Sequence, residues 1–255
     1  MNPPSVFPYP LLEAVENHSY PLLFATVSGA HLYGFPSPDS DWDLRGVHVL
    51  PAREVLGLHP LRETVDSDRI VDGLELDLVT HDLRKFMGLM LKPNGYVLEQ
   101  LHSPLVVLTT PEHAELRELG RRCVTRHHAH HYLGFSAGQF KLLNRDDPPR
   151  VKPLLYTFRT LLTGLHLMRT GEIEANLAVL NTEARLVYLD DLMAQKKAGR
   201  EKETLTGDLG FYEAEFRRLT GEMEQAMETT HLPAKVEPEV EAELSDLLVR
   251  LRMDT

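Results

Sequence analysis

Apolar residues recur with two different periods along the chain: strand and helix patterns alternate up to about residue 110, and beyond it the helical period stands almost alone. Before it, the apolar runs are short. Residues 22–27 form a buried-strand pattern bounded by turn signals. Residues 41–50 read as a second strand, entered from the loop Phe35-Pro36-Ser37-Pro38-Asp39-Ser40, whose prolines favour extended backbone. Residues 62–65 and 70–80 read as two more strands around a turn at Asp66-Ser67-Asp68. In the later one Leu74, Leu76 and Leu78 alternate with Glu75, Asp77 and Val79. Short helices are predicted over 11–18, 51–58 and 81–91, the last with Leu83, Phe86, Met87 and Met90 on one face. Pro93-Asn94-Gly95 breaks it, and another short helix carries Tyr96, Leu98, Glu99 and Leu101. Residues 105–108 suit a last edge strand.

After Pro111 almost no strand pattern remains. Helices are predicted over about 111–144, 152–170, 181–195, 209–228 and 240–253. The switch of period divides the chain into an α+β part, 1–110, and a helical part, 111–255. Lys196 to Lys202 reads as a charged, solvated loop, and Gly134 and Gly138 as small residues for close helix packing.

Strand parity adds chemistry to this pattern. Residues i and i+2 point to the same face of a strand, so Asp41, Asp43 and Arg45 project together. Adjacent carboxylates repel unless a cation lies between them, and a hard divalent ion such as Mg2+ satisfies both. Arg45 either pairs with an aspartate or reaches a phosphate. Just upstream, Gly29 and Gly34 allow the backbone of Ser28-Gly29-Ala30-His31-Leu32-Tyr33-Gly34 to approach a phosphate closely. In the helical part, Lys152, Tyr156 and Arg159 share one helix face, a cation–aromatic–cation set suited to a nucleotide or to water. Gln139 and Lys141 are weaker candidates of the same kind. His127 and His131 are spaced as a possible ligand pair, with Cys123 as a loose third group, but no further ligand at motif spacing accompanies them.

The spaced set Gly29-Ala30, ten residues, Asp41-Trp42-Asp43, with Tyr33-Gly34 and Leu44-Arg45-Gly46-Val47, resembles the signature of the DNA-polymerase-beta nucleotidyltransferase superfamily. It is most similar to a bacterial and phage branch associated with RNA repair. The resemblance implies a mixed sheet with helices, followed by a helical domain that closes the nucleotide cleft. It also implies a third carboxylate on a neighbouring strand. Asp77, framed by Leu76 and Leu78, matches that position, with Glu75 as fallback. Glu99 matches an acidic family position, for which a structural role is preferred. The resemblance makes Asp41, Asp43 and Asp77 the catalytic, metal-holding carboxylates for Mg2+ or Mn2+. It assigns Gly29, Ala30, Tyr33, Arg45, Lys152, Tyr156 and Arg159 to the nucleoside triphosphate. One position departs from the pattern: Ala30 stands where the family has a serine, removing a phosphate-binding hydroxyl.

Bulk properties narrow the partners. The chain has 255 residues, 42% of them hydrophobic and 25% charged, as in ordinary globular proteins. A single cysteine excludes an internal disulfide and fits a reducing cytoplasm. No signal peptide and no membrane span are expected, since no apolar run approaches about 18 residues. A formal net charge of -11 argues against broad nucleic-acid binding, which needs a basic footprint. The function expected is metal-dependent transfer of a nucleoside monophosphate to an acceptor hydroxyl on an RNA end, a small molecule or a protein. The alternatives are a nucleotide-binding regulatory module without turnover, and a growth-arresting modifier of tRNA or protein.

Overall fold

The computed structural model describes residues 7–199 and 203–253. Helix α1 (Tyr9–Glu16) begins with a proline in its first turn and buries Leu11 and Ala14. Strand β1 (Leu22–Val27) leads through Ser28 into the single-turn helix α2 (Gly29–Tyr33), which Gly34 ends in the left-handed conformation. Strand β2 (Trp42–His48) is followed by a short helix α3 (Ala52–Val55) and the strands β3 (Thr64–Val71) and β4 (Leu74–Asp82). Helices α4 (Leu83–Met90) and α5 (Gly95–His102) then lead to β5 (Val106–Thr109).

These strands make one mixed sheet in the order β3-β4-β2-β1-β5. Its one parallel pair is β2 with β4, and there Asp43 stands opposite Asp77. The hairpin joining β3 to β4 turns at Asp72 and Gly73, both with positive φ. Asp66, Ser67 and Asp68, the expected turn, instead pair with Val79, Leu78 and Asp77. The physical reason is local. An Asp-Gly pair adopts the left-handed backbone that a two-residue hairpin requires, whereas a polar edge strand resembles a turn only in composition.

The sheet buries both faces. On one, Leu11 and Ala14 of α1 meet Ala25, Val27, Leu44, Leu76 and Leu78. On the other, Phe24 and Val47 meet Leu83, Phe86 and Met90 of α4 and Val97 and Leu101 of α5. Asp43 and Arg45 share the face of Val47 but lie toward the opposite end of β2, beyond the cover of α4.

Among the described residues the named elements after β5 are helices: α6 (Pro111–Arg122), α7 (His128–Leu143), α8 (Val151–Thr170), α9 (Leu177–Ala184), α10 (Val187–Ala198), α11 (Leu209–Thr229) and α12 (Pro238–Met253). The expected helix over 111–144 is thus two. It breaks where the buried ring of His128 takes the Thr125 N–H on Nδ1 at 3.1 Å. The stretch predicted as 181–195 is also divided, at Arg185, whose φ is 54°. Lys196 belongs to α10 and is completely buried rather than solvated; Arg200 to Lys202 lie outside the described residues. Gly134 and Gly138 sit on an open face with no atom within 4 Å of an added Cβ, so they mediate no close packing.

Helix α8 is the hub of the helical part. Leu154, Phe158, Leu161 and Leu165 pack in one core with α7, α10 and α11, and Ala30, Leu32, Tyr33 and Phe35 join it from the first half. Helix α12 returns to the sheet half. Its Val240, Leu244 and Leu247 join the α4–α6 core, and Arg252 donates to Asp82 at 2.6 Å. Asp82 also caps α4 by accepting the Arg84 N–H and takes the Leu50 N–H. Among the described residues no helix is long and apolar enough to cross a membrane.

Candidate active site

The site begins where β1 runs out. Ser28 still bridges to β2 through its N–H on the Asp43 carbonyl at 2.8 Å. Gly29 then takes φ +62°, and a Cβ there would lie 1.8 Å from Asp43 Oδ2. Both facts demand glycine: one forbids a side chain by backbone sterics, the other by occupied space. Gly34 is held similarly, with φ +86° and Asn176 Oδ1 at 2.4 Å from a built Cβ. Between the two glycines, the ring of Tyr33 faces the cleft described below. Ala30 turns its methyl into the helical core.

The parallel register brings Asp43 and Asp77 side by side, and Arg45 locks them. Its Nη2 donates to Asp43 Oδ1 and Asp77 Oδ2, both at 2.6 Å. Nη1 donates to the carbonyls of Leu44 and Asp77, and Nε to the Tyr96 hydroxyl at 3.0 Å. The guanidinium is therefore fully engaged by protein, the pairing role of the two expected for it. Burial pushes the Asp43 carboxyl up to about 6; Arg45 pulls it down, and the charges of Asp41 and Asp77 push it up again. Lys152 is close enough for its own charge to act on Asp43.

A further carboxylate was not anticipated from sequence. Asp68 of β3 stands opposite Asp77, and its carboxyl is raised above the usual range by hydrogen bonding to Asp77 and by that group's charge. The period-2 pattern of the polar edge strand carried the signal, once the hairpin turn is placed at Asp72-Gly73.

On one side of these carboxylates lies a cleft of about 450 Å3, walled by Gly29, Asp43, Tyr33, Tyr96, Tyr156 and Phe135. Arg159 and Glu99 form its floor. Arg159 Nη1 donates to Glu99 Oε2 at 2.9 Å, both side chains are almost wholly buried, and the guanidinium lies 3.9 Å over the Tyr33 ring. Tyr132 is buried beside this pair, and burial with the Glu99 charge keeps its phenol protonated far beyond the usual range. Lys152 lies over the Tyr156 ring at 5.6 Å. The helix face Lys152–Tyr156–Arg159 thus looks toward the sheet, not toward water. Tyr96, Phe135 and Asn94 line the cleft without having been singled out as contacts; their helices were legible, their approach to α8 was not.

On the other side a groove of about 610 Å3 runs along β3 and β4, lined by Asp41, Asp68, Arg69, Glu75 and Asp77. Glu75, the fallback for the third carboxylate, lies out along this groove, two residues beyond Asp77. The His127 and His130 rings stack on each other, His131 turns into the cleft, and Cys123 is buried with its thiol pushed up to about 11.

Among the described residues no three acidic, histidine or cysteine side chains converge closely enough to hold an ion as they stand. The donor chemistry nevertheless suits a hard cation. Asp41, Asp68 and Asp77 line the groove beside Asp43, whose proton is held to about 6 chiefly by burial, with the charges of Asp41 and Asp77 adding to it against the pull of Arg45.

Residues 9–250 match the profile of the RNA repair pathway DNA polymerase beta family. The chain is 30% identical over 155 residues to the uncharacterized protein MJ0002 of Methanocaldococcus jannaschii, covering 60% of this chain and 63% of that one. It is 26% identical over 194 residues to the uncharacterized protein YcgL of Bacillus subtilis, covering 74% and 70%. A crystal structure of a nucleotidyltransferase-like protein from Exiguobacterium sibiricum superposes on 96% of this chain and 88% of its own. Its identity is 11% and its TM-score 0.33, too loose to bear on any residue.

Proposed function

The chain belongs to the RNA repair pathway DNA polymerase beta family, and from that premise we propose that it moves a nucleoside monophosphate from a nucleoside triphosphate to an acceptor hydroxyl, releasing pyrophosphate. The observation that carries the reading is the packing of Asp43 against Gly29, with Asp77 in register beside it, at the mouth of an aromatic cleft.

Asp41, Asp43 and Asp77 would hold Mg2+ or Mn2+, which when bound neutralises charge on the transferring phosphates. The chain's own residues do the rest. Tyr96, Tyr156 and Phe135 offer ring surface to a base or sugar with the buried Tyr33 ring behind them, and Lys152 brings positive charge to the phosphates. The backbone N–H groups at Gly29 and its neighbours would hold the β- and γ-phosphates. Arg159, tied to Glu99, fixes the Tyr33 ring from the cleft floor. Asp77, on the groove side, orients the acceptor hydroxyl and takes its proton as the oxygen bonds to the α-phosphorus. The bond from the α-phosphorus to the β-bridging oxygen then breaks, and pyrophosphate leaves with that electron pair.

The acceptor follows from two opposing features. The family description favours an RNA end; the carboxylates along the β3–β4 groove favour a small-molecule or protein hydroxyl. Incubation with each α-labelled triphosphate, Mn2+ and RNA or extract separates them. Label transfer lost in Asp43→Ala supports the enzyme. Nucleotide binding with no transfer to any acceptor supports the regulatory module, a reading favoured by the complete engagement of Arg45 between the carboxylates.

A further inference from the structure

Lys196 is the most deeply buried lysine described, with no exposed surface although it lies near the end of a helix whose next residue, Lys197, is exposed. A buried ammonium is costly unless it is hydrogen-bonded, so its partners identify its purpose. Its Nζ donates to Ser37 Oγ at 2.7 Å, joining residues 159 apart in sequence. Ser37 is not a passive acceptor. Its Oγ contacts Ser40 Oγ at 3.0 Å, its N–H donates to Ser40 Oγ at 2.9 Å, and Ser40 N–H returns to the Ser37 carbonyl at 3.0 Å. The three bonds close the turn that delivers the chain to Asp41. Beyond it Trp42 stacks on His31 with ring centroids 3.7 Å apart, and His31 lies against the Ser40 carbonyl.

The two halves of this turn are held from different sides. His31 fixes its end from α2, within the sheet half. Lys196 fixes its start from α10, in the helical half. Asp41 lies between the turn and the first residue of β2, so the turn's geometry bears directly on its direction. We propose that Lys196 is a positioning residue for Asp41, pinning the Ser37–Ser40 turn so that the Asp41 carboxylate enters the acidic cluster. It touches neither substrate nor reacting atoms. Its effect on metal binding rests on the nucleotidyltransferase reading; its effect on the turn does not.

Trp42 is the one tryptophan of the chain and adjoins Asp41, so its fluorescence reports the turn directly. The test compares the full-length protein with Lys196→Met and Ser37→Ala, each checked by circular dichroism. Ser37→Ala removes the acceptor without emptying the lysine's site, and keeps the test valid if Lys196→Met does not fold. Acrylamide quenching of Trp42 is expected to rise about twofold in each variant as the His31 stack loosens. Asp41-dependent Mn2+ affinity, read by electron paramagnetic resonance, is expected to fall about fivefold, since only part of the lost hydrogen bond reaches the carboxylate through the turn. The double variant is expected to be no worse than Lys196→Met alone, because that variant already removes the link to Ser37. Unchanged Trp42 quenching in a folded variant overturns the proposal, as does altered quenching with undiminished Mn2+ affinity. A wild-type protein that binds no Mn2+ overturns the carboxylate reading instead, and the Trp42 arm then decides the pinning alone.

Discussion

The carboxylate of Asp43 rests on the Cα of Gly29, so close that a methyl group there would overlap Oδ2 at 1.8 Å. A side chain would also have to adopt φ +62°. Gly29→Ala therefore strains the backbone and displaces the central carboxylate together, at a cost of about 2–4 kcal/mol from the two effects combined. The variant is expected to unfold well below the wild type in a thermal melt and to lose Mn2+ binding and nucleotidyl transfer. A variant that keeps wild-type Mn2+ affinity would show that Asp43 does not act from this position.

Gly73→Ala separates backbone strain from displacement of the site. Gly73 also has positive φ, +80°, but nothing lies within 4 Å of an added Cβ. Only the left-handed backbone is penalised, by about 1 kcal/mol. The melting temperature is expected to drop by a few degrees, with Mn2+ affinity unchanged. A loss of Mn2+ binding equal to that of Gly29→Ala would mean that the β3–β4 hairpin sets the site geometry more strongly than Gly29 does.

The α+β class was legible because its signal is local: strand patterns mixed with short helices before residue 110, helical period after it. The shared face of Asp43 and Arg45 follows from the same parity. The position of the hairpin turn was also written in the chain, in Asp72-Gly73, but the polar run Asp66-Ser67-Asp68 competes with it. An edge strand with no fully buried position has no apolar face to mark it as a strand. What parity cannot convey is which long cation goes inside. Arg159 is buried because Glu99 waits 60 residues away, and Lys196 because Ser37 does so at 159. Ser37 and Ser40 read only as loop residues until α10 is packed on them. Asp68 gains meaning only from its register with Asp77.

The Arg159–Glu99 pair gives a prediction about the cleft floor. Both side chains are nearly inaccessible, 3% and 1%. Removing one partner strands the other, which typically costs about 3–5 kcal/mol. Arg159→Met is therefore expected to lower unfolding free energy by that amount in urea, and Glu99→Gln by less, since the amide can still accept from Arg159. Arg159→Met with Glu99→Leu is expected to recover much of the loss, because neither charge remains buried. Additive losses in the double variant would refute a self-compensating pair. Nucleotide affinity, measured separately by calorimetry, is expected to stay reduced in the recovered variant, because Tyr33 has lost the guanidinium at 3.9 Å that holds its ring.

The pH dependence turns on Asp43, whose carboxyl moves from an ordinary 3.8 to about 6 on folding. The folded chain thus holds this proton more tightly than the unfolded one. Its contribution to stability is complete below about pH 4 and is lost as pH rises through about 6. The loss is at most about 3 kcal/mol, from roughly two units at 1.36 kcal/mol each. Asp43→Asn, which cannot ionise, is expected to melt above the metal-free wild type at pH 7.5 and level with it at pH 4. Metal affinity moves in the opposite direction, because a cation must displace the proton. Wild-type Mn2+ affinity is expected to be steady above about pH 7 and to fall by about one decade per unit below 6. Titration of Mn2+ by electron paramagnetic resonance between pH 5 and 8 checks this. A flat profile would remove Asp43 from the ligand set, and an Asp43→Asn variant less stable than wild type at pH 7.5 would mean that its bond to Arg45 outweighs the burial of its charge.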